Sequence, residues 1–156
     1  MRAFLTRHFP KLLLLAVLLL LALPACSGDL RPVDVPEIGL RAYLPPGWSW
    51  EVQTGYRPGL RLWPDDDPTA DVELIRWHWD ASPSDEPGVF HGRINTSAGE
   101  LLERYWEERG EEVRVYLCWP NRGLYRLTGA LTPDQWERYR ADLLRIADTV
   151  TFLSAP

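Results

Sequence analysis

Side chains able to act as nucleophiles, bases or metal ligands are few in this 156-residue chain. There are two cysteines, Cys26 and Cys118, and beyond the first 25 residues only two histidines, His78 and His91. A thiol or an imidazole needs a partner close by before it can ligate a metal or act as an activated nucleophile. Neither histidine has a neighbour at a ligand-forming spacing, and neither is close in sequence to Cys118. The pattern predicts no metal site, no cofactor and no catalytic residue.

Carboxylates are concentrated in the segment DDDPTAD, which contains Asp65, Asp66, Asp67 and Asp71. Carboxylate oxygens bind calcium, but this segment lacks the alternating ligand spacing and the glycine of an EF-hand loop. We therefore expect a solvated turn between two strands.

Tryptophan is the compositional exception, with eight residues of this type. In RWHWD, Trp77 and Trp79 would share one face of a strand, where they would either stack on a sugar or peptide or pack as core beneath a helix. Two further tryptophans each precede a proline at the end of a strand, and we expect both to be partly exposed. The ligand-binding candidates are Trp63, Trp77, Trp79 and Trp119.

The N-terminus has the layout of a secretory signal peptide. Residues 1–11 carry Arg2, Arg7 and Lys11 without an acid, and residues 12–23 are uninterruptedly apolar. A bilayer core of about 30 Å needs about 20 apolar residues in a helix, so this run is too short to span it. We expect residues 1–25 to be removed.

The end of this segment, LPAC, resembles the bacterial lipobox. Leu23 precedes Cys26 by three positions and the small Ala25 directly precedes it, whereas Pro24 departs from the more common Ala, Ser or Thr. The resemblance implies a diacylglyceryl group on the Cys26 thiol and cleavage before it. Two or three acyl chains anchor a protein stably in a membrane. Ordinary cleavage after Ser27 is the alternative. With Ser27 and not aspartate after the cysteine, outer-membrane sorting is favoured where such a membrane exists.

Removal of residues 1–25 changes the charge of the chain. It takes away three of the 17 basic residues and none of the 22 acidic ones, which leaves a net charge of −8. This charge argues against nucleic acid and against electrostatic docking on anionic lipid, so the lipid must supply the anchor. The composition of residues 26–37 predicts a flexible tether after the lipidated cysteine, and residues 38–156 a single α+β domain.

Short alternating segments predict an antiparallel sheet of about five or six strands. The first half contains LRAYL, WSWEV, GLRLWP and DVELIRWHWD, with a turn at PPG and another at DDDPTA. In the second half, EEVRVYLCW and GLYRLTGAL flank the turn PNRG, and DTVTFL closes the chain. Cys118 lies late in the alternating run, where we expect a half-buried apolar role; a disulfide with Cys26 is the alternative.

Two segments follow a helical period. TSAGELLERYWEERG predicts a helix capped by Ser97 and ended by Gly110, with Trp106 on its apolar side. LTPDQWERYRADLLRIADTV predicts a second helix with Thr132 as N-cap and Gln135 completing a capping box. Its apolar stripe is Trp136, Tyr139, Leu143 and Ala147, with Leu144 beside it. We expect both helices to lie on the sheet, and Trp48, in the PPGW turn, to be core.

The order of these elements resembles the PsbP-like family, which includes DcrB-type bacterial lipoproteins. The residues that carry the likeness are PPGW, EEVRVYLCW after a glycine, LYRLTGA, and the closing IADTVTFL, within about residues 38–154. The resemblance implies an α-β-α sandwich around an antiparallel sheet and a non-enzymatic role in assembly or scaffolding. It supplies no functional residue.

Two functional hypotheses follow. The first is a cell-envelope lipoprotein, anchored by its lipid on the periplasmic or extracytoplasmic side of a membrane, whose non-catalytic domain binds another cell-envelope protein. The second is a lipoprotein that binds a small ligand or glycan through exposed tryptophans. The scarcity of residues for chemistry argues against an enzyme.

Overall fold

The computed structural model describes residues 29–76, 88–123 and 125–153. The strands are β1 (Arg31–Val35), β2 (Leu40–Leu44), β3 (Trp48–Gln53), β4 (Gly59–Pro64), β5 (Val72–Arg76), β6 (Val89–Asn95), β7 (Leu101–Arg109), β8 (Glu112–Cys118), β9 (Tyr125–Leu131) and β10 (Thr151–Phe152). The helix α1 covers Pro133–Thr149, and single 3-10 turns occur at Pro36–Ile38 and Pro120–Arg122.

The strands form two antiparallel sheets. The smaller has the order β1-β2-β10, and the larger has seven strands in the order β3-β4-β5-β9-β8-β7-β6. The predicted hairpins on either side of DDDPTA and PNRG are confirmed as β4–β5 and β8–β9. The predicted α+β class is confirmed broadly, but the single sheet of five or six strands is wrong.

Helix α1 packs against β2 of the small sheet and against β7, β8 and β9 of the large one. Its capping box forms as predicted, since the Thr132 side chain accepts from the Gln135 N–H and Gln135 accepts from the Thr132 N–H. The predicted apolar stripe is buried together with Ile146. One hydrophobic core therefore joins the helix to both sheets.

The predicted helix between Ser97 and Gly110 is wrong, because Leu101–Arg109 form strand β7. Gly110 does not end a helix. With φ +65° it takes the first position of the two-residue turn between β7 and β8, where a positive φ is required. Thr96, and not Ser97, accepts the Glu100 N–H, and this closes the β6–β7 turn.

The predicted tether over residues 26–37 is too long, because Arg31–Val35 form strand β1 and Pro36–Ile38 a 3-10 turn. Strand β1 pairs with β2 along its whole length. Val33 and Val35 are buried in the common core, and this burial offsets the conformational entropy that the segment loses when it becomes ordered. The folded domain therefore begins by Arg31, and not at Ile38.

A second helical layer, as in the expected α-β-α sandwich, is not found in the described part of the chain. Helix α1 covers one face of the large sheet, and the segment expected to supply the other helix is strand β7. We call the sheet face turned away from α1 the outer face. Residues 77–87, which follow β5, lie outside the described ranges.

Candidate functional site

The outer face carries a continuous row of polar and aromatic side chains. Alternation along each strand buries residues such as Leu60, Leu74 and Leu127 in the core, so their neighbours point the other way. The pairing register connects one such neighbour on every strand of the large sheet. From β3 to β6 this row is Glu51, Arg61, Glu73, Thr128, Tyr116, Tyr105 and Phe90.

One half of the row is charged and internally paired. The Arg61 Nε donates to Asp71 Oδ2 at 2.9 Å, and Gln53 donates to Glu73 at 3.3 Å. The hydrogen bond that Arg61 donates to Asp71 raises the pKa of Arg61. These pairs are half exposed, so each contributes little to stability and stays available to a partner.

The middle of the outer face contains a groove of about 360 Å³. Its floor is Thr128 and Ala130 of β9, whose short side chains stand between longer ones on both neighbouring strands. Polar and aromatic groups form the walls: Asp71 just before β5 and Glu73 on β5, Arg114 and Tyr116 on β8. The groove thus offers carboxylates on one side and a guanidinium with a phenol ring on the other.

The other half of the row is aromatic. The rings of Phe90 and Tyr105 are 5.2 Å apart, and Arg93 lies 5.9 Å from the Phe90 ring. Arg126 lies 5.6 Å from the ring of Tyr116. Phe90 is 50% exposed, although it is a large apolar side chain. Exposed aromatic rings beside guanidinium groups are the composition that protein interfaces favour.

The phenol of Tyr105 is held by its neighbour. Burial raises the pKa of Tyr105, and so does the hydrogen bond that its hydroxyl donates to Glu103 Oε2 at 2.9 Å. Glu103 also accepts from Arg93. Tyr105 therefore remains a neutral hydrogen-bonding group in a fixed position.

Cys118 lies on the outer face and is half-buried, as predicted. Its thiol is free, and burial raises its pKa to about 11. A thiol with this pKa is protonated near neutral pH, which makes it a poor nucleophile.

Of the four predicted tryptophan candidates, only Trp63 and Trp119 lie in the described ranges. Trp63 is half exposed on the outer face, with Arg61 at 5.6 Å from its ring. The prediction that Trp119 is partly exposed is wrong, because its ring is fully buried and packs edge-on against Phe152. Trp77 and Trp79 lie outside the described residues, as do Cys26 and His78.

The outer row was not identified by the sequence reasoning. Because the sequence pattern predicts a helix at Tyr105, it does not indicate that Tyr105 shares a strand face with Glu103 and Glu107. Tyr116, by contrast, stands between Val115 and Leu117 in a clean alternating run, and this signal marks it as facing away from the core.

The acidic turn after β4 lies against helix α1. Across the three described ranges, no three His, Cys, Asp or Glu side chains come together as ligands would. Its carboxylates instead bind the first turns of α1: Asp66 accepts from Arg138 and Tyr139, and Asp67 from Gln135. Negative groups stabilise a helix N-terminus through its dipole. The predicted turn is confirmed, and it also docks the helix.

Of the two histidines outside the N-terminal segment, only His91 is described. Its ring stacks on Trp106 with a centroid distance of 3.7 Å and an interplanar angle of 4°. Trp106 in turn contacts Trp136 of α1 at 5.2 Å. His91 therefore covers the edge of the core.

Comparison with known proteins identifies the fold. No family model matches the chain, and no curated protein sequence matches it. Among solved structures, the chain is similar to cyanobacterial PsbP (CyanoP) from Synechocystis sp. PCC 6803, with a TM-score of 0.50 and 14% sequence identity. The match covers 83% of this chain and 98% of that one. The domain thus has a PsbP-like fold, and the similarity extends no further than the fold.

No helix in the described ranges has the length and apolar character needed to cross a bilayer.

Proposed function

We propose that this protein is a lipid-anchored lipoprotein of the cell envelope, held outside the cytoplasmic membrane, whose domain binds another envelope protein through its outer face. The observation that carries the proposal is the row from Glu51 to Phe90, which spans all seven strands. It presents charged, phenolic and apolar groups together on a face without a helix among the described residues.

The anchor is supported by the N-terminal sequence. A basic segment, a short apolar run and LPAC precede the domain, and the net charge of −8 beyond residue 25 gives no electrostatic route to an anionic membrane. Acylation of Cys26 would supply the attachment that the folded surface lacks.

Recognition, and not catalysis, fits the groups on the outer face. Arg61 and Arg93 are each paired with a carboxylate, Tyr105 is hydrogen-bonded, and the Cys118 thiol has a raised pKa. Tyrosine and arginine are enriched among the residues that dominate the binding energy of protein interfaces. The PsbP-like fold is compatible with this role.

Site-specific photocrosslinking in detergent-solubilised membranes tests the protein-binding role. A photoreactive phenylalanine at position 90 should give one adduct of defined mass, and Tyr116→Ala should weaken it. The matched control is the same probe at Arg140, which is exposed on α1. Equal adducts at both positions, or none at position 90, would contradict the proposal.

The anchor is tested separately. Cys26→Ser should accumulate as an uncleaved or mislocalised precursor, and a palmitate analogue should label the wild type only. Normal processing of Cys26→Ser would exclude lipidation and leave the outer-face experiment unaffected.

A second function, glycan or small-ligand binding, is favoured by the groove. Sugars stack on aromatic rings and accept or donate hydrogen bonds to carboxylate and guanidinium groups, which Tyr116, Glu73 and Arg114 provide here. Cell-wall fragments should then quench tryptophan fluorescence, since Trp63 lies on the same face. Tyr116→Ala should abolish the response, whereas Tyr56→Ala, 79% exposed in the β3–β4 loop, should retain it. No quenching across a broad fragment set would refute this alternative.

A further inference from the structure

The position of β1 determines how far the domain can stand from a lipid at Cys26. Arg31, the first residue of β1, follows Cys26 by only five positions. A fully extended chain covers about 17 Å over that interval. A domain of this size has a radius of gyration of about 14 Å, so the reach of the tether is similar to the domain's own radius.

The start of β1 lies at one identifiable end of the fold. Arg31 pairs with Leu44 at the end of β2, and the exposed turn Pro46–Gly47 continues past it. The Arg31 guanidinium donates to the Trp48 carbonyl, which brings the start of β3 to the same place. We call this the β1 end.

The β1 end carries an exposed tryptophan and an arginine in contact. Trp50 is 39% exposed, and the Arg31 guanidinium lies 5.3 Å from the centre of its ring. Tryptophan is enriched at the interface between headgroups and acyl chains, where its ring is partly desolvated. Arginine can bury its alkyl stem there while its guanidinium group remains hydrated. The opposite end of β3 leads into the loop of Tyr56, about 20 Å further along the strand direction.

We propose that the β1 end, with Arg31, Trp50 and the Pro46–Gly47 turn, rests on the membrane surface to which Cys26 is anchored. This inference rests on the lipidation of Cys26 in the proposed function. Because the tether between Cys26 and β1 is short, the β1 end is the part of the domain held closest to the membrane. The Arg31–Trp50 pair contacts the interfacial region. The β3–β4 loop with Tyr56 then points away from the bilayer.

The composition of the β1 end also indicates the lipid. Asp65 accepts from Ser49 at 2.5 Å, and its N–H donates to the Gly47 carbonyl at 2.8 Å, so its carboxylate lies beside the same turn. The Asp65 carboxylate and the net charge of −8 beyond residue 25 disfavour a strongly anionic surface, and a zwitterionic phosphatidylcholine surface is the one that we expect to be contacted.

Depth-dependent quenching tests the orientation. The lipidated protein with Cys118→Ser would be reconstituted in phosphatidylcholine vesicles, with an environment-sensitive fluorophore at Pro46→Cys or, as matched control, at Tyr56→Cys. Cys26 does not take the label because its sulfur carries lipid. We expect a headgroup-region nitroxide lipid to quench the fluorophore at position 46 at least twofold and to leave position 56 unchanged.

Equal quenching at the two positions, or stronger quenching at position 56, would overturn the proposal. Failure of lipidation is distinguishable, because mass spectrometry of the purified protein reports the acyl groups before reconstitution. A label-free measurement guards against a misfolded variant: brominated phosphatidylcholine should quench the wild type more than Trp50→Phe. Identical quenching of these two proteins would also count against the proposal.

Discussion

Ser97 and Asp148, 51 residues apart, are joined by two hydrogen bonds. The Ser97 N–H donates to Asp148 Oδ1 at 3.0 Å, and the Ser97 hydroxyl donates to the Asp148 carbonyl at 3.0 Å. The first bond uses a side chain near the end of α1, and the second satisfies a carbonyl of its last turn, which has no partner within the helix. The turn between β6 and β7 is thereby attached to the C-terminal end of α1.

Ser97→Ala should lower the free energy of unfolding by about 1 kcal/mol, because one hydrogen bond to the helix end is lost. Urea unfolding measures this. Asp148→Ala removes the other bond, and the double variant should be less destabilised than the sum of the two, since both bonds hold the same turn. Strict additivity would show that the turn is positioned by other contacts.

Asp67 should contribute to the pH dependence of stability. Hydrogen bonds from Thr69 and then Gln135 lower the pKa of Asp67 below its ordinary 3.8, and the hydrogen bond from Arg41 does the same for Asp34. A lowered pKa means that the folded state favours the ionised form. The contribution of such a carboxylate to the free energy of unfolding is complete above its pKa in the unfolded state. It is lost as the pH falls through the lower pKa of the folded state.

Asp34→Asn/Asp67→Asn should therefore lose less stability than the wild type between about pH 5 and pH 2. Urea unfolding at a series of pH values provides the comparison, and the two single variants should fall between. If the free energy of unfolding falls equally steeply with pH in the double variant and in the wild type, the pH dependence does not come from Asp34 and Asp67.

Gly129 is required by the packing of β9 on β5. A Cβ at this position would lie 2.6 Å from the Val72 Cγ1, well inside van der Waals contact. Gly129→Ala should cost about 1–3 kcal/mol through overpacking. Val72→Ala removes the clashing methyl, so Gly129→Ala/Val72→Ala should be less destabilised than the sum of its single variants. If the double variant is destabilised by as much as that sum or by more, the cost of Gly129→Ala has a cause other than the contact with Val72.

Cys118 should react slowly in the folded protein. Its pKa of about 11, against an ordinary 9.0, reduces the thiolate fraction at pH 8 about 100-fold. Iodoacetamide labelling of the lipidated protein or of Cys26→Ser should be at least that much slower than labelling in urea, and should accelerate above pH 10. Rapid labelling of the folded protein at pH 8 would contradict the burial of the thiol.

Local features of the fold could be predicted from the sequence because nearby residues determine them. Thr132, Pro133 and Gln135 define the start of α1 within one turn, and its apolar stripe has an unambiguous 3.6-residue period. The hairpins around DDDPTA and PNRG follow from turn residues between alternating runs. The lipid anchor at Cys26 is likewise a local prediction, and it remains to be tested.

Other features depended on pairing across the fold. The segment LLERYWEER satisfies both a helical and a strand pattern, and only its pairing with β6 and β8 makes it a strand. Trp119 is flanked by proline like Trp63, yet contact with Phe152 near the end of the chain buries it.

The sequence by itself determined the start of α1, most of the strands and the α+β class, because capping residues, turn residues and alternation act over a few positions. The tertiary structure decided the rest. Arg31–Val35 forms a strand because it pairs with β2. The outer row forms because the pairing register places one of its residues on each of the seven strands of the large sheet. Cross-strand hydrogen bonds and shared burial act between residues far apart in sequence, where local patterns carry no information.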